Sequence, residues 1–335
     1  MAQISKNVAM LPAQQILDVC MSRFTSLYSG HERQAEKVFE RCISHSLGIK
    51  EKHKPVGTCM SIGPSGSGKS YFWECVAESL HGQSGSLIML NGGEYQHSHE
   101  IAKLIGAPPG YLGHKETEAV ITNKAMIIKR GLSQFAIDFI VVDELDKAHG
   151  SVCDFFLSPM EKAQAKLASG GEVDFSDCFI AFTTNAGENI YAKKEIGLSK
   201  SSIKPGSSHR KDLLKRFSSP FLNRVKDFWV FDEYDQKQKF SAIKIQVGRL
   251  LQSYDGNSYN SGIIVSNGFL DEVSGMKLDK DFGMRDLVRT AKSIVEQRCT
   301  DLAFGRTKKK TLGKEDVIEF IKRRDESGKS LSASM

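Results

Sequence analysis

Between positions 63 and 70 the chain reads Gly63-Pro64-Ser65-Gly66-Ser67-Gly68-Lys69-Ser70, which satisfies G-x-x-x-x-G-K-[ST] in full. These residue types suit one kind of chemistry. Glycines let the backbone curl until successive N–H groups point inward at an anion. The ammonium of Lys69 is a compact charge for β- and γ-phosphates, and the Ser70 hydroxyl can ligate Mg²⁺. About 75 residues further on, the apolar run Phe139–Val142 ends in two acids, Asp143 and Glu144. Asp143 would hold a Mg²⁺ shell, and Glu144 would polarise an attacking water. Taken singly, the first segment also fits a Gly/Ser-rich turn and the second a plain strand end. Taken together, they point to hydrolysis of a nucleoside triphosphate rather than to nucleotide binding alone.

Such groups need a scaffold. The apolar run Val56–Ile62 leads into the phosphate loop, and a helical segment, Tyr71–Leu80, follows it. The loop thus opens a helix whose positive dipole end favours an anion. Further runs at Ser86–Leu90, Phe139–Val142 and Cys178–Thr183 are continuous rather than alternating, as in a parallel sheet covered on both faces. Helical patterns at 31–48, 69–81, 117–130 and 152–167 alternate with them, which predicts a doubly wound α/β fold. Beyond 232 the strand signal weakens. Residues 235–252 and 284–303 have helical periodicity, with Leu287, Ala291, Ile294, Val295 and Leu302 on one face. The segment from Thr311 reads as a last helix, begun at Thr311 or Gly313 and covering Lys314–Lys322. The expected organisation is a helical extension over 1–27, a large α/β domain over 28–232, a small mainly helical lid over 233–325 and a flexible tail over 326–335.

Composition narrows the class. The 335 residues are 40% hydrophobic and 26% charged, which excludes wholesale disorder and collagen-like sequence. Lys and Arg number 46 against 40 Asp and Glu, a net charge of +6, too small an excess to mark a nucleic-acid binder. From 306 onward basic residues outnumber acidic ones, a pattern that fits a solvated face. The seven cysteines are odd in number and widely spaced, without a CxxC pair, and so favour a reducing compartment over a disulfide framework or zinc site. No apolar run approaches the roughly 20 residues of a membrane span, and the first 20 residues lack a signal-peptide core. A cytoplasmic protein with no membrane partner is expected.

Six segments in order resemble the AAA+ ATPases of the Clp unfoldase class, specifically their second ATPase module. GHERQAEKV (30–38) resembles the start of that module, beside the adenine pocket. EYQHSHEIAKLIGAPPGYLGHKE (94–116) resembles its central-pore segment, VVDELDKAH (141–149) its Walker B strand, and FTTNAG (182–187) its sensor strand. FSSPFLNRVKDFWVF (217–231) resembles the arginine-finger helix, and DFGMRDL (281–287) the start of the small-domain sensor helix.

The resemblance implies ATP and Mg²⁺ as cofactors and adds roles to particular residues. Asn185 would hydrogen-bond the attacking water or the γ-phosphate, although an Asn before Ala-Gly also makes an ordinary turn. Arg224 would enter a neighbouring subunit's site; a surface ion pair with Asp227 or Asp232 is the alternative. Arg285 would touch the γ-phosphate from the small domain, with Arg289 one turn further as the fallback. A finger acting in trans implies a homo-oligomeric ring, hexameric in this family. Tyr111, within Gly110-Tyr111-Leu112-Gly113, would grip a threaded polypeptide, unless it is a surface turn. A second pore segment would fall near Lys166–Val173. Ile196-Gly197-Leu198 occupies the place of a tripeptide that docks on a barrel peptidase; in a Lys/Ser-rich stretch such a match also arises by chance. Substrate delivery would involve an adaptor or the leading helix. The implied function is ATP-driven protein unfolding by threading. The alternatives are a remodeller of one specific assembly without a peptidase, a nucleic-acid-associated switch and a non-catalytic nucleotide-binding scaffold. The aromatic pore segment argues against nucleic acid.

Overall fold

The continuous apolar runs at 57–62, 138–143 and 178–184 form strands buried along nearly their whole length, as a sheet covered on both faces requires. The computed structural model describes residues 12–106, 119–131, 133–168, 170–186, 212–254, 262–277 and 283–322. These fall into two units: residues 1–25, 31–64 and 68–232 form one, and 26–30, 65–67 and 233–335 the other.

The first unit runs α1 (Ala13–Leu27), α2 (Glu32–Ser46), β1 (Gly57–Ile62), α3 (Lys69–His81), β2 (Ile88–Asn91), α4 (Ile101–Ile105), α5 (Asn123–Arg130), β3 (Asp138–Asp143), α6 (Gly150–Lys162), β4 (Gln164–Lys166), β5 (Glu172–Asp174), β6 (Cys178–Thr184), α7 (Ser219–Arg224) and β7 (Asp227–Val230). Five of the strands form a parallel sheet in the order β2-β3-β6-β1-β7. Strands β1 and β6 are buried at every position. The register sets Ser61 opposite Thr183 and Asn91 opposite Asp143, so the carboxyl ends of the central strands lie along one edge. Ligands bind at that edge in open α/β sheets. Helix α1 packs into this unit through Phe24, whose ring meets those of Phe39 at 6.2 Å and Phe72 at 5.5 Å, both edge-on.

The structure corrects several expectations. Helix α5 starts at Asn123 rather than 117, because the Thr122 side chain accepts the Ala125 N–H at 3.0 Å and caps the helix there. Helix α6 ends at Lys162 rather than 167. Ala163 turns left-handed (φ 52°), and Gln164–Lys166 becomes a strand paired antiparallel with Glu172–Asp174. The sequence reading missed β7, whose Trp229 stacks on Trp73 at 5.8 Å.

The second unit contains α8 (Gln236–Ser253), β8 (Ile264–Val265), α9 (Asn267–Gly275), α10 (Met284–Ala303) and β9 (Thr311–Leu312), followed by helical residues 314–322. An Asp235/Gln238 capping box fixes the start of α8. Ile243, Val247, Phe269, Leu287, Ala291 and Val295 form its core. Of the two starts expected for the last helix, Gly313 holds, with helical residues from 314; Thr311–Leu312 is instead a short parallel strand against Ile264–Val265. Among the described residues, no helix is long and apolar enough to cross a membrane.

Candidate nucleotide site

The phosphate loop leaves the end of β1. Gly63 N–H bonds the Thr184 carbonyl at 3.2 Å, which ties the loop to β6. Gly66 and Gly68 then take left-handed backbone conformations, φ 73° and 84°, that a side chain would disfavour. From Gly68 the chain enters α3, whose first residue is Lys69. The Lys69 side chain is only 6% exposed. A buried ammonium is costly unless oxygen atoms surround it. Here Nζ donates to the Gly63 carbonyl at 2.7 Å, the Pro64 carbonyl at 2.8 Å and Asn185 Oδ1 at 2.8 Å.

Ser70 Oγ donates to Asp143 Oδ1 at 2.5 Å, and Thr183 Oγ1 donates to the same oxygen at 2.5 Å. Such short O–H···O contacts are characteristic of an ionised acceptor. A hydroxyl beside a carboxylate is also a hard-oxygen donor set of the kind Mg²⁺ takes, and Lys69 with the two left-handed glycines suits a polyphosphate. These residues therefore fit both groups.

Glu144 follows β3 in a left-handed conformation, φ 52° and ψ 45°, which costs a non-glycine residue about 1–2 kcal/mol. Its N–H bonds Thr183 Oγ1 at 2.9 Å, its carbonyl accepts the Lys147 N–H at 2.9 Å, and its carboxylate accepts Lys147 Nζ at 2.8 Å. That last hydrogen bond is the leading reason the Lys147 ammonium holds its proton above the usual range. Gly92 gives the turn room: a Cβ there would lie 2.3 Å from the Glu144 carbonyl oxygen. The next turn is tied down as well. Asp146 Oδ1 accepts the Asn185 N–H at 3.0 Å, and Arg216 donates to the Asp146 carbonyl, from Nε at 2.8 Å and also from Nη2. Near the start of the unit, the His31 ring lies 4.1 Å from that of Phe231, and burial lowers its pKa to about 4.

The fold therefore gathers Lys69, Ser70, Asp143 and Asn185, from three stretches of chain, with Glu144 next in sequence to Asp143. Thr183, Gly92, Asp146, Lys147 and Arg216 were missed as supporting residues. Only Thr183 left a usable trace, since it stands two residues before Asn185, near the end of β6. Arg224 lies elsewhere, at the end of α7. Its guanidinium bonds Glu161 Oε2 from Nε at 2.9 Å and Nη2 at 2.5 Å, and the Pro220 carbonyl from Nη1 at 2.9 Å. The ion pair is thus with Glu161, not with Asp227 or Asp232 as the sequence alternative had it; Asp227 is engaged by Arg41. Arg285 is an exposed residue in the first turn of α10, and Arg289 pairs with Asp286 at 2.9 Å. Gly110–Gly113 and Ile196–Leu198 lie outside the described residues. The stretch 166–173 forms the turn of the β4–β5 hairpin, with residue 169 outside the described set.

Residues 54–228, more than half of the chain, match the family described as AAA domain (Cdc48 subfamily). The chain belongs to this AAA family. The AAA chain is 30% identical over 279 residues to the ATP-dependent Clp protease ATP-binding subunit ClpE of Bacillus subtilis, covering 82% of this chain and 38% of that protein. It is 28% identical over 263 residues to the corresponding subunit ClpC of Staphylococcus aureus, covering 76% and 31%. It thus spans about a third of the length of these curated relatives. Two solved structures share its fold. One is a closed-state reconstruction of Hsp104 with ATPγS and FITC casein (TM-score 0.71, 21% identity, 91% of this chain and 51% of that one). The other is a Saccharomyces cerevisiae Hsp104–casein complex in an extended conformation (TM-score 0.72, 19% identity, 92% and 51%). The resemblance to a Clp-type AAA+ module is therefore shown, and with it the parallel-sheet AAA fold.

Proposed function

We propose that this AAA chain hydrolyses ATP and uses the cycle to unfold or remodel polypeptides drawn through a ring of its own copies. Hydrolysis is carried by one observation: two hydrogen-bonded pairs, Lys69 with Asn185 at 2.8 Å and Ser70 with Asp143 at 2.5 Å, meet at the carboxyl edge of the sheet. Lys69 binds the β- and γ-phosphates once its ammonium exchanges the loop carbonyls for phosphate oxygens. Ser70 and Asp143 would hold Mg²⁺, which when bound would neutralise charge on the phosphates. Asn185 orients the attacking water. Glu144 polarises that water after its carboxylate leaves Lys147, and its left-handed turn aims it away from the line of β3. Arg224, already splayed over the surface by Glu161, supplies positive charge to the neighbouring copy, and Arg285 reports nucleotide state to the small unit.

A ring, hexameric as the resemblance implies, follows from an arginine acting in trans. A polypeptide substrate is supported by the match of 94–116 to a pore segment, with Tyr111 as the gripping residue, and by the Clp subunits among the relatives. A cytoplasmic location, an adaptor, and a barrel peptidase at Ile196-Gly197-Leu198 belong to the same proposal. The test is the full chain carrying Glu144→Gln. It should bind ATP and assemble, lose turnover, and retain unfolded proteins when pulled down in ATP. Unchanged ATPase activity would remove Glu144 from its role, and capture of nucleic acid alone would overturn the polypeptide substrate.

A further inference from the structure

One hydroxyl joins the two acids. Thr183 lies on β6 opposite Ser61 of β1 and is fully buried. Its Oγ1 donates to Asp143 Oδ1 at 2.5 Å and accepts the N–H of Glu144 at 2.9 Å. Chemistry fixes the direction of both bonds. An ionised carboxylate only accepts and a backbone N–H only donates, so the Thr183 proton must face Asp143 and its lone pair must face Glu144. The consecutive acids are therefore referenced to a single atom on the neighbouring strand.

The consequence at Glu144 is larger than one hydrogen bond. A left-handed non-glycine residue persists only where its surroundings over-determine it. Thr183 anchors the N–H of that residue, Lys147 N–H anchors its carbonyl, and Gly92 leaves the carbonyl room. Of these anchors, only Thr183 also holds the metal-side carboxylate. Asn185 follows the last residue of β6; its Oδ1 meets Lys69 and its N–H meets Asp146.

Building on the proposed ATP hydrolysis, we propose that Thr183 is a positioning residue. Its hydroxyl sets the direction of the Asp143 carboxylate and the backbone turn that aims Glu144, so that both acids move with the strand that leads into Asn185. Thr183 acts through the two acids that its hydroxyl meets.

The test compares Thr183→Val, which keeps the branched shape and removes the hydroxyl, with Thr183→Ser, which keeps the hydroxyl, in the full chain. Thr183→Val should lower kcat by about 100-fold, the scale on which a positioned proton-transfer group acts, with the KM for ATP within about threefold. It should also raise the Mg²⁺ concentration needed for half-maximal turnover and for tight binding of a fluorescent ATP analogue. Thr183→Ser should return kcat to within about fivefold of native. If Thr183→Val does not fold, judged by its thermal melt, Thr183→Ala carries the same expectations. A hydroxyl-less variant with near-native kcat and Mg²⁺ dependence would overturn the proposal, as would equal impairment in the valine and serine variants. Glu144→Gln, measured beside them, separates the two levels. Turnover persisting in Glu144→Gln removes the base and leaves the Mg²⁺ readout to judge Thr183. A dead Glu144→Gln with a native-like Thr183→Val removes only Thr183.

Discussion

Strand β3 carries an aspartate at each end, and the two live in opposite chemistry. Asp143, at the carboxyl end, accepts hydrogen bonds from two hydroxyls, Ser70 Oγ and Thr183 Oγ1, at 2.5 Å each. Asp138, at the amino end, is 6% exposed; Arg130 Nε lies 3.2 Å from its Oδ1, yet that oxygen accepts no hydrogen bond. Burial outweighs the guanidinium and pushes the Asp138 pKa up to about 6. Nearby, His81 packs edge-on to Phe139, neither of its ring nitrogens is hydrogen-bonded, and burial, aided by Arg130, lowers its pKa to about 4. One residue type in one strand thus serves two ends: where hydroxyls surround the carboxylate, charge is kept for use; where apolar packing surrounds it, charge is a cost. The same contrast separates Lys69, buried among three oxygens, from Arg224, held at the surface by one carboxylate.

The sharpest way to break the contrast is to treat both aspartates alike. Asp143→Asn should cut ATP turnover by at least about 100-fold, whereas Asp138→Asn should leave it within about twofold; equal losses at the two ends would erase the distinction. Next in size, Arg224→Ala should lower turnover by about 10- to 100-fold below native. Activity should partly return when this variant is mixed with Glu144→Gln copies, because an Arg224 from one then meets a Glu144 from the other. No recovery on mixing would show that Arg224 does not act across subunits.

Stability effects are smaller and have opposite signs at the amino end of β3. Asp138 has a folded pKa, about 6, above its unfolded value of 3.8. Its favourable contribution is complete below about pH 4 and is lost as pH rises through 6. Two pH units correspond to about 3 kcal/mol, so urea unfolding of native and Asp138→Asn chains should diverge by about that much between pH 4 and 7, the native chain losing ground as pH rises. His81 has a folded pKa, about 4, below its unfolded 6.5. Its contribution is complete above 6.5 and is lost as pH falls toward 4. His81→Leu should therefore gain about 2 kcal/mol on the native chain between pH 7 and 5. Parallel profiles for these two chains would show that the ring is not desolvated.

Much of this was legible in the sequence. A full phosphate-loop pattern between an apolar run and a helical run admits one arrangement, because left-handed glycines, a helix start and a lysine at that spacing are local requirements. Continuous apolar strands made the sheet parallel for an equally local reason, since alternation disappears when both faces are covered. The acids at 143 and 144 and the asparagine at 185 were nameable from order and wording. The boundaries set by single side chains were not legible: Thr122 capping α5 late, Ala163 turning α6 into a hairpin, Thr311 choosing a strand partner across the small unit. Nor were the partners legible. Nothing in DFIVVDE distinguishes the buried Asp138 from the hydroxyl-bound Asp143, and nothing near residue 92 announces a carbonyl 52 residues away that leaves no room for a Cβ. Local sequence sets conformation and residue type. Only the tertiary fold, by deciding which strands are neighbours and what surrounds each carboxylate, sets whether a charge is solvated by hydroxyls, buried against apolar side chains or carried to the surface.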